Sequence, residues 1–119
     1  MYEIYFYEDT NGNNPILDYI EKLSKRTDKD SRINYNKIND YIQALSEYGK
    51  TAKEPYIKHL DGDIWELRPL RTRIFFADWL DDGFMLLHYL QFKKTQKTPK
   101  SEIDRAKSNL KEMRERSGV

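Results

Sequence analysis

The segment YIKHLDGDIWELRPLRTRIFFADWLDDGFMLLHYLQF, Tyr56–Phe92, decides how this chain folds. It breaks into four stretches rich in aromatic and β-branched residues: Tyr56–Leu60, Ile64–Leu70, Arg71–Leu80 and Phe84–Phe92. Asp61-Gly62-Asp63 and Asp81-Asp82-Gly83 punctuate them. Such residues suit a pleated surface, and an Asp-Gly pair is a hairpin signal, so the segment predicts an antiparallel meander. Period-two alternation then puts Trp65 and Leu67 on one face, and Glu66 and Arg68 on the other. Arg71 and Arg73 share a face of the following strand. Phe84–Phe92 is too apolar to alternate and reads as a central strand covered on both sides.

Upstream, Tyr2–Glu8 reads as a further strand and Asp9–Pro15 as a turn. Asn14 suits a helix N-cap and Pro15 the first helical position. Ile16, Ile20 and Leu23 follow at helical spacing. A longer helix over 31–48 is carried by Ile38, Tyr41, Ile42, Leu45 and Tyr48, and Gly49 is a natural stop. Downstream, Thr98-Pro99 opens a last helix with a hydroxyl cap and a leading proline, and Ile103, Ala106, Leu110 and Met113 form its narrow apolar stripe. The predicted order is β–α–α–β–β–β–β–α. This describes a single α+β domain over residues 1–119: an N-terminal strand and helical hairpin packed on a curved antiparallel sheet, with a basic C-terminal helix.

Of 119 residues none is cysteine, which excludes disulfides and thiolate zinc sites. The two histidines, His59 and His88, lack metal-ligand spacing, and no metal or other cofactor is expected. No apolar run approaches the ~20 residues of a membrane span, and MYEIYFYEDT lacks the basic start and apolar core of a signal peptide. A cytoplasmic protein with no membrane association is the expectation. Formal net charge is only +1, yet it is unevenly spread: residues 1–90 carry 12 Lys/Arg against 16 Asp/Glu, a net of −4, and residues 91–119 carry 9 against 4, a net of +5.

Local fields of this kind steer anionic partners. If the Trp65 face is buried under the helical pair, the opposite face shows Glu66, Arg68 and Arg73 to water, with Lys93, Lys94 and Lys97 emerging beside it. Arginine forks match phosphate, lysines supply point charges, and tyrosines stack unpaired bases. The same cations suit cleavage of RNA by attack of the ribose 2′-OH on the adjacent phosphate, where negative charge grows on a pentacoordinate centre and no metal is required. Plainer readings stand beside this one. Glu66 and Arg68 make an ion pair on a wet face, and His88 is a satisfied core histidine. Lys100, Lys107, Lys111 and Arg114 form a solvated stripe or a contact for an acidic partner. Phosphate-binding loops, nucleophile elbows and dinucleotide fingerprints are absent from the sequence.

HLDGDIWELRPLRTRIFFADW, and LLHYLQFKKTQKTPKSEIDRAK after it, carry three marks: L-x-G-x-I-W-E-L-R, R-x-R-I-F-F, and K-K-T-Q-K-T-P-x-x-E-I-x-x-A. In these the chain resembles the RelE/ParE superfamily of toxin–antitoxin toxins, specifically its HigB-like, phage Gp49-related branch. The likeness is strong over residues 56–110 and one of pattern only over 1–50. It implies a RelE-like fold and a ribosome-dependent endoribonuclease that cuts mRNA in the A site and so inhibits translation. It implies silencing by a HigA-like helix-turn-helix antitoxin in a hetero-oligomer. By motif it puts Arg68 and Arg73 at the scissile phosphate with Glu66 and Lys93 beside them, and Lys94, Lys97, Arg71 and Lys58 along the RNA path. Two alternatives keep the fold but change the activity: a ParE-like inhibitor of DNA gyrase, and a non-catalytic module that binds RNA or a partner. One departure concerns register. Between His88 and the lysine pair this chain is one residue longer than the family pattern, which implies a bulge or a slip and leaves open whether His88, Tyr89 or Lys93 faces the groove.

Overall fold

The computed structural model describes residues 1–52, 56–91 and 97–118. Its elements run β1 (Glu3–Phe6), α1 (Pro15–Lys25), α2 (Lys29–Tyr48), a single 3₁₀ turn (Gly49–Thr51), β2 (Ile57–Asp61), β3 (Ile64–Leu67), β4 (Thr72–Trp79), β5 (Gly83–Gln91) and α3 (Lys100–Ser117). The order is the one the periodicities predict. Asn14 caps α1 by accepting from the Leu17 N–H, with Pro15 at the first position, while Asp28 caps α2 by accepting from the Ser31 N–H. Both caps satisfy amides that a helix leaves unpaired at its start.

The sheet has the order β1-β5-β4-β3-β2. Strands β2 to β5 form the antiparallel meander, but β1 lies parallel to β5, from Glu3 opposite Gly83 to Phe6 opposite Leu86. The sheet is therefore mixed rather than wholly antiparallel. The α1–α2 hairpin carries the chain across the sheet from β1 at one edge to β2 at the other, and the meander then returns to set β5 beside β1. Gly83 is required where β1 meets β5, since a Cβ there would lie 2.0 Å from the Glu3 carbonyl oxygen.

Two cores form, one on each face. On one face α1 and α2 cover Leu67, Ile74, Phe76, Phe84 and Leu86 with Ile16, Tyr19, Leu23, Ile38 and Leu45. On the other, Ala106 and Leu110 of α3 cover Ile64, Phe75, Ala77, Met85 and Leu87. Trp65 takes the predicted face but is only half-buried, at the margin of the first core, where His59 and Lys50 pack on its ring. A bulge is present in β5, but it falls before His88 rather than in the stretch between His88 and the lysine pair where one was expected, which lies partly outside the described residues. Opposite Phe75 and Phe76, β5 presents His88 and Leu86, so Leu87 is the extra residue.

At α3 the sequence expectation fails. Pro99 is the N-cap, and no side-chain hydrogen bond caps the helix among the described residues. Thr98, read as the hydroxyl cap, is used elsewhere.

Candidate functional site

Cross-strand register lines up four residues on the α3 side of the sheet: Lys58 opposite Glu66, Glu66 opposite Phe75, and Phe75 opposite His88. One step along the strands, Arg68 follows Leu67 and Arg73 precedes its partner Ile74, so the two arginines face each other at the mouth of the β3–β4 connection. The alternation read from the sequence therefore holds. Its consequence does not. Glu66 is 1% exposed and Arg73 3%, so they do not form a water-facing surface. The helix expected merely to follow the sheet lies on this face, and Thr98 at its approach meets Glu66.

Each buried charge has partners, as burial requires. Glu66 Oε2 accepts from the Thr98 hydroxyl at 2.8 Å. Its Oε1 lies 3.3 Å from Arg68 Nε, but the N–H is not directed at the oxygen, so the contact is an ion pair rather than a hydrogen bond. Arg73 Nη1 donates to the Leu70 carbonyl at 2.8 Å and the Thr72 carbonyl at 3.0 Å, pinning the β3–β4 connection to the start of β4. Burial, reinforced by the neighbouring Arg68, pushes the Arg73 guanidinium below its ordinary pKa, against the pull of Glu66 and Tyr41. Leu70, inside that connection, adopts a φ of 54°, a strained value for a side chain of its kind.

His88 belongs to the same face. Its ring stacks on Phe75 at 5.6 Å between centroids, and Nε2 lies 3.3 Å from Glu102 Oε1 on α3. Burial pushes the imidazole below its ordinary pKa, and the Glu102 hydrogen bond opposes it. Tyr89 points the other way, stacked on Tyr19 at 4.3 Å under the helical hairpin. Of the three residues the register left open, His88 is thus on the side of Glu66 and Tyr89 is not, while Lys93 lies outside the described residues.

Among the remaining predicted residues, Lys58, Arg71 and Lys97 are exposed around the buried pair, and Arg68 keeps a quarter of its side chain accessible. Lys94 also lies outside the described residues. The cationic stripe of α3 is spoken for. Lys107 pairs with Asp61 and Arg114 with Asp63 in the β2–β3 turn, and Lys100 and Lys111 pair with Asp104 and Glu115 one helical turn on. Sequence reasoning missed Thr98 and Glu102 as members of the cluster. Both sit in a stretch whose local pattern signals only a helix start, and neither shows its long-range partner in sequence. Among the described residues no group of three or more His, Asp or Glu is placed to hold a metal, and no helix is long and apolar enough to cross a membrane.

Residues 18–111, from within α1 to within α3, match the family described as phage-derived protein Gp49-like. A comparison with curated proteins finds no match.

Proposed function

The chain belongs to the phage-derived Gp49-like family, within the RelE/HigB-like branch of toxin–antitoxin toxins, and from that premise we propose that it is a ribosome-dependent mRNA endoribonuclease. The observation that carries the reading is the composition of the β3–β4 mouth: Arg68 and Arg73 converge there around one buried carboxylate, Glu66, with Lys58, Arg71 and Lys97 exposed about them. A local excess of fixed cations is what an RNA phosphate needs.

In this reading the ribose 2′-OH gives up its proton to water and attacks the adjacent phosphate, forming a 2′,3′-cyclic phosphate as the P–O5′ bond breaks and the 5′-oxygen leaves as a hydroxyl. Arg68, accessible and held by Glu66, stabilises the charge that grows on the phosphoryl oxygens. Arg73 adds positive potential from beneath and holds the connection in shape. Glu66 orients Arg68 and keeps the cluster from repelling itself. Lys58, Arg71 and Lys97 guide the RNA strand, and Lys93 and Lys94 complete the path, with Lys93 near the reacting phosphate. The whole chain acts as one domain in the cytoplasm, on mRNA held by the ribosome, and a HigA-like helix-turn-helix antitoxin silences it in a hetero-oligomeric complex.

The test is primer extension on mRNA bound to purified ribosomes, with naked RNA and a gyrase supercoiling assay run in parallel. Cuts that require the ribosome support the proposal. Efficient cutting of naked RNA overturns its ribosome dependence. Inhibition of supercoiling without any cleavage transfers the chain to the ParE-like reading.

A further inference from the structure

We infer that Thr98 is a positioning residue: its hydroxyl fixes the Glu66 carboxylate and, through it, the direction in which Arg68 presents its charge. The inference rests on the nuclease reading above and adds to it a residue outside the arginine cluster.

A threonine directly before a proline at a helix start is normally spent on the helix, accepting from one of its first free amides. Here it is not. The cap position falls on Pro99, and among the described residues α3 has no side-chain cap. Thr98 instead donates across 32 residues of sequence to Glu66 Oε2 at 2.8 Å. A chain that departs from a local rule without a local gain has its compensation elsewhere. That compensation is the state of Glu66. The carboxylate is 2% exposed, one oxygen is tied to Thr98, and the other stands 3.3 Å from Arg68 Nε without an aligned hydrogen bond.

A carboxylate pinned at one oxygen cannot turn both toward the same guanidinium. Remove the Thr98 donor, and Oε2 is a buried acceptor short of a partner, a costly state. Arg68 is the donor beside it. Glu66 then rotates to take Arg68 with both oxygens, the strongest geometry open to that pair, and draws the guanidinium down toward the sheet. Arg68 loses its reach to a phosphate while the fold persists, because α3 remains seated by Ala106 and Leu110 and by the Glu102–His88 contact.

The experiment compares Thr98→Val and Thr98→Ser with wild type in single-turnover cleavage of ribosome-bound mRNA. Val keeps the shape and removes the donor, whereas Ser keeps the donor. Thr98→Val is expected to lower the saturated rate about tenfold, the scale of one hydrogen bond, with ribosome affinity unchanged, and Thr98→Ser to restore it. Added to Glu66→Gln, Thr98→Val is expected to cost nothing further, since both act through one carboxylate. A wild-type rate in Thr98→Val, no recovery in Thr98→Ser, or additivity with Glu66→Gln overturns the inference. The Arg68 Nε–H resonance in NMR spectra gives a readout independent of cleavage: it should move in Thr98→Val and stay in Thr98→Ser. If wild type cuts nothing, the nuclease reading falls, and this resonance alone decides whether Thr98 sets Arg68; an unmoved resonance in Thr98→Val overturns the claim.

Discussion

Arg68 and Arg73 differ by burial, and that difference separates chemistry from stability at the scale of single residues. Arg73 is buried and donates to the Leu70 carbonyl in the β3–β4 connection and to the Thr72 carbonyl at the start of β4. Arg73→Ala removes those bonds and buried volume together, so a loss of about 2–4 kcal/mol is expected in urea denaturation. Its activity must therefore be read at a matched folded fraction. Arg68 is partly accessible and makes an ion pair without an aligned hydrogen bond. Arg68→Ala should cost about 1–2 kcal/mol, chiefly from leaving Glu66 with one partner fewer. In single-turnover cleavage on the ribosome, Arg68→Ala should fall at least ~100-fold, the scale of deleting one preorganised charge stabiliser. Full toxicity of a folded Arg68→Ala protein would place the active surface elsewhere.

At the scale of elements, α3 is the part whose placement matters most, and His88 is one of its fasteners. Burial pushes the His88 pKa below its ordinary value, with Glu102 opposing and Arg105 reinforcing from the same helix. The unfolded chain therefore takes up the proton first as pH falls. Stability contributed by neutral His88 is fully present above about pH 6.5 and is lost progressively below it. A series of urea melts between pH 7.5 and 5 should show this decline, and His88→Phe should flatten it. Tyr7, which donates to Glu112 of α3 at 2.9 Å, acts at the opposite end of the scale. Burial and then that hydrogen bond raise its pKa to about 12. Its contribution should disappear as pH rises from about 10 toward 12, because the unfolded phenol ionises first. Thermal melts of wild type and Tyr7→Phe over that range measure the difference. At β1, Gly83→Ala would drive a methyl into the Glu3 backbone. A loss of about 3 kcal/mol or more is expected, with hydrogen exchange of the Glu3–Phe6 amides accelerated most.

Over the whole molecule, charge is apportioned by what each cation already touches. The α3 stripe is neutralised by Asp61, Asp63, Asp104 and Glu115, so it offers little free charge to an anionic partner despite the net of +5 in residues 91–119. Lys58, Arg71 and Lys97 surround the buried cluster instead. Charge reversal at these three should weaken ribosome association and flatten its dependence on salt, since each phosphate contact contributes to that slope. Reversal at Lys107 and Arg114 should leave the slope within error. Sedimentation of labelled protein with ribosomes across a salt series distinguishes the two sets, and equal effects would mean that α3 also faces the RNA.

Order, class and faces were legible in the sequence because they follow from short-range periodicity. Aromatic and β-branched runs between Asp-Gly turns named the meander, 3.6-residue spacing named the helices, and strict alternation put Glu66, Arg68 and Arg73 on a common side. The motifs around Trp65 and Thr98 also carried the family. What alternation cannot say is what covers a face. Whether Glu66 meets water depended on where the approach to α3 lies, and the seat of that helix is set by burial of Ala106 and Leu110 against Ile64, Phe75 and Leu87, residues brought together only by folding. The same holds for Thr98, whose local context predicts a cap but whose hydroxyl serves a carboxylate 32 positions away, and for His88, turned toward Glu66 by a bulge at Leu87. Local propensity is decided by neighbours in sequence; the burial and partners of a charge are decided by neighbours in space.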